Sequence, residues 1–242
     1  MRKVTPCGRA TAGSWGLVMF IAAAVPATTW AASAPSDAYL AALRERGAPP
    51  VDFTIAAFDS VYLVIFDDAL HPAVEPFVFY EKLIQDPRFT ARPRYVFLEA
   101  LPMNQQPALD AYLASDPEDR TLLHPAFQDD FSGTGWSLQT YFDLLHAIRE
   151  VNRSVPVNRR ITVVGVASPC SWACIRTSRD LELFRESLDA YDFQMYANIK
   201  RNLDDFRSGR LGIFLTNTRH AYTGVRRSDG RYYWNCGTFF RQ

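Results

Sequence analysis

Four short apolar runs punctuate the chain, at residues 61–66 (VYLVIF), 94–98 (RYVFL), 161–166 (ITVVGV) and 211–215 (LGIFL). Each is continuous rather than alternating, and each is too short for an ordinary helix. Such runs predict strands covered on both faces. Between them the apolar spacing changes to three and four, which predicts helices with one buried stripe. Val74, Phe77, Tyr80, Leu83 and Ile84 mark the first. Leu109, Tyr112 and Leu113 mark a second, and Phe142, Leu145, Ile148 and Val151 a third. One long fourth helix is expected through Phe184, Leu188, Met195, Ile199, Leu203 and Phe206. Strands alternating with helices imply right-handed crossovers and a largely parallel sheet flanked by helices, hence an α/β fold. The tail reads differently. Asp229-Gly230, between Val225 and Tyr232, is a turn signal that predicts a C-terminal β-hairpin.

The first residues carry a different pattern. Arg2, Lys3 and Arg9 precede an apolar run at residues 15–25 (WGLVMFIAAAV), and small residues follow it. This is the layout of a secretory signal peptide, with cleavage expected after Ala31. The run is short for a membrane span, which needs about 20 apolar residues. The expectation is a signal peptide at residues 1–31 and a single α/β domain at 32–242, periplasmic or secreted, with no membrane span. The chain stops soon after Phe239 and Phe240 without a polar closing segment, as a truncated domain would.

Composition sharpens this picture. The chain has 242 residues, 48% of them apolar and 21% charged, which excludes a disordered chain. Basic and acidic residues balance at 26 each, an argument against a general nucleic-acid binder. Three of the basic residues lie in the first 31 positions, so the remainder is mildly acidic. Past Cys7, only Cys170, Cys174 and Cys236 remain, which suit structural roles or one disulfide better than a zinc site needing about four ligands.

In open α/β sheets, ligands bind beyond the carboxyl ends of the strands. After the first predicted strand come Asp67, Asp68 and His71; the second ends in Glu99. Ser168 to Ser171 follow the third, and Asn217, Arg219 and His220 the fourth. Two histidines and a carboxylate on one edge can bind a metal or activate a water. Asp192 interrupts the apolar stripe of the fourth helix, where a carboxylate must be paired or face a site. Arg149 is a candidate partner for it. Gln106 and Asp110 share a helix face four residues apart. His124 and His146 read as surface or structural residues. No phosphate loop, GxSxG elbow or HExxH motif is present.

The order of these motifs resembles the erythromycin-esterase/ChaN/Tiki superfamily over roughly residues 51–220. Asp68-Ala69-Leu70-His71 stands for its Gly-Glu-x-His, and Glu99, Gln106 and Asp110 for its second motif. Arg149 and Asn152 match an Arg-x-x-Asn, Tyr191-Asp192 an Arg-Asp pair, and residues 217–220 a Gly-x-x-His. Ala69 and Tyr191 depart from the pattern, each losing a charged group. The resemblance implies a three-layer α/β fold with a hydrolase cleft at the strand ends for a small-molecule ester or amide, with His71, Glu99, His220 and Asp192 as catalytic residues. Gln106, Asp110 and Arg149 would bind substrate. A divalent metal on His71, Glu99 and His220 is implied as an option, as is a haem- or iron-binding protein without turnover. Loss of the two charged positions leaves a catalytically degenerate scaffold as a third expectation.

Overall fold

A computed structural model of the chain describes residues 34–68, 73–92, 94–129 and 139–241. The region expected to be a signal peptide lies outside the described residues. Helix α1 (Ala34–Arg46) belongs to a unit of its own, separate from residues 48–242. It exposes Tyr39, Leu40 and Leu43, and the Gly47 amide closes its last turn on the Leu43 carbonyl.

The second unit begins with α2 (Pro50–Ala57) and is built on four strands: β1 (Leu63–Asp67), β2 (Arg94–Pro102), β3 (Ile161–Ala167) and β4 (Leu211–Thr216). They form one parallel sheet in the order β1-β4-β2-β3. All four coincide with the apolar runs. Between β1 and β2 lies α3 (Val74–Gln85). The β2–β3 connection holds α4 (Gln106–Ala114), α5 (His124–Gln128) and α6 (Gln139–Ser154). Between β3 and β4 run α7 (Ser178–Ser187) and α8 (Tyr191–Asn202). After β4 come α9 (Thr218–Ala221) and α10 (Cys236–Arg241).

Period-two alternation divides the strands between two cores. Val96, Leu98, Ile213 and Leu215 face α3, α4 and α6 through Phe77, Tyr80, Leu83, Leu109, Tyr112, Leu145 and Ile148. Phe97, Val164, Val166 and Phe214 face the other way, onto Tyr191, Met195, Ile199 and Cys236. This is the expected three-layer α/β fold. Fully burying a Phe of this kind stabilises by roughly 1.5–3 kcal/mol.

Strand β3 is an edge strand, yet its free edge is not left to water. The Asn152 side chain exchanges two hydrogen bonds with the Ile161 backbone, at 2.8 and 2.7 Å. Gln106 donates to the Val163 carbonyl at 2.8 Å and accepts from the Gly165 amide at 3.0 Å. Asn198 donates to the Gly165 carbonyl at 3.1 Å. Three amide side chains thus do what a further strand would do, and blunt the edge against pairing with another chain.

Two sequence expectations need correction. The long fourth helix is two helices, broken by a 3-10 turn at Leu188–Ala190. Helix α7 has no buried residue, whereas α8 buries Tyr191, Met195, Asn198 and Ile199. The turn re-aims the chain from the surface into the second core. The C-terminal hairpin does not form as a ladder. Its turn is present, with Gly230 at φ +80° and its amide bonded to the Arg227 carbonyl. Only one antiparallel bridge follows, Arg226 with Tyr232. An isolated two-stranded ribbon is marginal without a hydrophobic face to cover, and Tyr232 and Trp234 are about half exposed here. None of the described helices is long and apolar enough to cross a membrane.

Candidate active site

The site follows from strand register. Phe97 pairs with Phe214 and Leu98 with Leu215, so the next residue pair brings Glu99 opposite Thr216. Glu99 lies two residues past Phe97 and therefore points to the α8 side of the sheet. The Thr216 hydroxyl and the Asn217 amide both donate to its Oε2, the amide at 3.1 Å. The chain then turns through α9 and brings His220 back over the strand end. Its Nε2 lies 3.2 Å from Glu99 Oε1, and its Nδ1 lies 2.7 Å from Asp192 Oδ1. Asp192 reaches there because α8 restarts at Tyr191. The Tyr191 hydroxyl donates to Glu99 Oε1 at 3.5 Å, and its ring meets the His220 ring edge-on at 5.4 Å. Glu99 is 1% exposed and His220 4%.

Opposing effects set the charges. Burial pushes the Glu99 carboxyl up, but the His220 hydrogen bond and charge, with Thr216 and Asn217, hold it below its ordinary range. Burial pulls the His220 imidazolium down, but hydrogen bonds and charges from Asp192 and Glu99 raise it to about 9. At neutral pH the node is therefore an imidazolium clamped between two carboxylates. Cys236 joins the node through its backbone amide, which donates to Asp192 Oδ1 at 2.8 Å. Its thiol is pushed well above the ordinary range by burial, then by Asp192 and Glu99. It is a neutral thiol and no activated nucleophile, since attack requires the thiolate.

The neighbouring strand end adds carboxylates. Asp68 is bonded by the Tyr141 hydroxyl and Asp67 by that of Tyr222. Ser168, at the end of β3, donates to Gln194 of α8 at 2.7 Å.

Of the residues expected from sequence, Glu99, Asp192 and His220 come together. His71 lies outside the described residues. Gln106 and Asp110 do not reach the node: Gln106 spans the β3 edge and bonds Asp110 Oδ1 at 2.8 Å. Arg149 does not pair with Asp192 either; it bonds Glu150 and the Ser115 carbonyl. No disulfide joins Cys170, Cys174 and Cys236. The metal reading needs His71, which lies outside the described residues, while both His220 nitrogens face carboxylates. Among the described residues no group of three His, Cys, Asp or Glu could hold a metal ion. Sequence reasoning missed Thr216, Asn217, Tyr191 and Cys236 as parts of the node. Thr216 could have been found, as the polar residue two past Phe214 on the same strand face.

The fold and site thus define a three-layer α/β protein with a buried carboxylate–histidine–carboxylate node at the carboxyl ends of its central strands. No family model matches the chain, and no curated protein matches it. Solved structures with a similar outline are toxin and effector chains. One titled "Bacterial protein toxins" is 13% identical with a TM-score of 0.48, over 84% of this chain and 37% of that one. The type III effector HopBA1 is 16% identical with a TM-score of 0.49, over 77% of this chain and 81% of its own. The C-terminal region of Pasteurella multocida toxin, described as having a thiol-protease-like catalytic triad, is 14% identical with a TM-score of 0.46, over 82% of this chain and 28% of that one. The chain spans little more than a third of the first of these. Likeness this distant carries no residue role or activity across.

These matches correct the resemblance drawn from sequence. The solved structures found are toxin and effector chains, not erythromycin-esterase, ChaN or Tiki proteins, so the hydrolase and haem-binding expectations that rested on that family fall with it. The motif residues show why the pattern misled: Gln106 and Asn152 cap a strand edge, and Arg149 holds a loop carbonyl.

Proposed function

We propose that the chain is an acid–base enzyme in which the Asp192–His220–Glu99 node donates a proton to a neutral or cationic substrate. One observation carries the reading: His220 is 4% exposed with a carboxylate on each ring nitrogen, at the carboxyl ends of adjacent strands. The chain leaves β2 for α4 in the first core, and after β4 it passes through α9 to α10 in the second, so the two strand ends part toward opposite faces, where parallel sheets open a crevice. An imidazolium held above neutral pH is a proton donor, and a general acid contributes roughly 10²–10⁴-fold to a rate. The longest contact in the node is Tyr191 to Glu99 Oε1, at 3.5 Å, so a substrate atom would enter there. It takes the Nε2 proton, Asp192 keeps the Nδ1 proton in place, and His220 is reprotonated from solvent. Among the described residues at these strand ends, Asp67, Asp68, Glu99 and Asp192 stand with one imidazolium, a balance that disfavours anionic substrates. Residues 1–31 are read, as part of the same proposal, as an export address.

A second reading is favoured by the complete bonding of Glu99, which has partners in His220, Tyr191, Thr216 and Asn217. There the node only ties β2, β4, α8 and α9 together. Incubating the purified protein with a metabolite extract, followed by mass spectrometry, separates the two. The enzyme reading expects a neutral or cationic species to be depleted by wild type and spared by the double variant Glu99→Gln, His220→Gln. Absence of any depletion specific to wild type, or equal depletion by a folded double variant, would overturn it.

A further inference from the structure

The node is completed by a segment that contributes none of its three charged side chains. Asn235 is 0% exposed. Its Nδ2 donates to the Arg219 and Tyr222 carbonyls, which bracket His220. Its Oδ1 accepts the Thr238 amide at 2.9 Å, as a helix N-cap does for α10. Cys236 places its amide 2.8 Å from Asp192 Oδ1, the oxygen that also faces His220 Nδ1. Gly237 packs against the same α9 backbone: a Cβ there would lie 2.3 Å from the Ala221 carbonyl oxygen and 3.3 Å from that of His220. No side chain fits between α9 and α10 at that point.

From these contacts we infer that Asn235, Cys236 and Gly237 form a positioning element that fixes His220 against Asp192 and Glu99. Asn235 sets the α9 backbone that carries the imidazole. The Cys236 amide holds the acceptor oxygen on Nδ1. Gly237 lets the two short helices approach. The inference rests on the acid–base reading, since it assigns the segment a role in proton donation. It is consistent with the direction of the Cys236 thiol, which is driven up by burial and by Asp192 and Glu99: the thiol takes no part, and the backbone does the work. Among the described residues, the groups facing His220 are Glu99 from β2, Tyr191 and Asp192 from α8, and Cys236 from α10; the Tyr233 hydroxyl bonds Asp192.

The test is an NMR titration of the His220 ring in the full chain. In wild type the midpoint should lie well above that of a free imidazole. Asn235→Asp keeps the acceptor for Thr238 but loses both donations, to the Arg219 and Tyr222 carbonyls, and Gly237→Ala forces the helices apart. Each should lower the midpoint by about one pH unit or more, the scale of a lost charge partner. Cys236→Ser keeps the amide and should leave the midpoint unchanged. Folded Asn235→Asp and Gly237→Ala proteins with the wild-type midpoint would overturn the proposal, as would a Cys236→Ser midpoint that falls with them. If both variants fail to fold, hydrogen exchange in wild type decides. A Cys236 amide protected like the β2 core supports the proposal, and exchange at the rate of an exposed amide refutes it. Absence of turnover with the titration behaving as stated would sink the enzyme reading and leave the positioning geometry intact. Turnover with an unmoved titration would do the reverse.

Discussion

Raising the pH from 6 to 8.5 should cost this fold about 2 kcal/mol of stability, with His220 as the cause. An unfolded histidine titrates near 6.5, whereas the folded His220 is raised to about 9 by Asp192 and Glu99 against the pull of burial. Below 6.5 both states hold the proton and the contribution is complete. Between the two values the folded state holds the proton that the unfolded chain has released, so stability falls as pH rises, by up to about 1.4 kcal/mol per pH unit. Above 9 the contribution is gone. Stopping at pH 8.5 keeps the contribution of other groups small. Cys236, Tyr80 and Tyr141 are also raised by burial, but their unfolded counterparts titrate only from about 8.5 upward. The loss is a sizeable part of the roughly 5–15 kcal/mol that holds a domain of ordinary stability. Urea unfolding followed by circular dichroism at half-unit pH steps measures it. The proper control is Glu99→Gln, His220→Gln together, because His220→Gln alone strands a buried carboxylate that titrates on its own account. Wild type should lose stability across the window while the double variant stays flat. A flat wild-type profile, or an equal slope in the double variant, would refute the argument.

Other outcomes follow from the same contacts. Arg94 is buried, its Nε and Nη1 have no partner among the described residues, and burial, then Arg92, lowers it to about 10. Phe58 and Phe89 offer it only ring faces at 4.7 and 5.6 Å; Arg94→Met should raise the urea-derived stability by about 1 kcal/mol, and a loss would show that the ring contacts outweigh desolvation. Asn152→Ala removes both side-chain bonds to the Ile161 backbone. It should destabilise by about 2–4 kcal/mol in the same assay, because two buried backbone groups are left unpaired. N-terminal sequencing of protein secreted or fractionated from an expressing bacterium should begin at Ala32, and an intact Met1 would remove the export proposal.

The sheet was legible because its strands are buried on both faces. Continuous apolar runs are what that environment demands, and all four strands fall on them. The three charged members of the node were also legible, since Glu99 ends such a run and Asp192 interrupts an apolar stripe. What sequence could not supply was pairing. Arg149 is a reasonable partner for Asp192 by charge, but the α7–α8 break turns Asp192 toward His220, and that break has no Gly or Pro to announce it. The hairpin expectation failed for a related reason. The turn at Asp229-Gly230 formed as its residues require, but a turn sets only the local reversal, and no layer among the described residues covers Tyr232 and Trp234 to extend the ladder.

Amide side chains are where sequence and function parted most sharply. Gln106, Asn152 and Asn198 lie where a binding cleft could use them, and each carries a donor and an acceptor that suit a ligand as well as a strand edge. Strand order decides between those uses. In the order β1-β4-β2-β3 the strand after the α6 helix is outermost, so its carbonyls and amides need partners that no neighbouring strand provides. The central strands β2 and β4 have no such deficit, and their carboxyl ends can hold a charged cluster without leaving backbone groups unpaired. The same reasoning favours Glu99 and His220 over Gln106 as the seat of the proposed proton chemistry. A polar residue at an edge strand is spent on the backbone, whereas one at the end of a central strand remains available for a substrate.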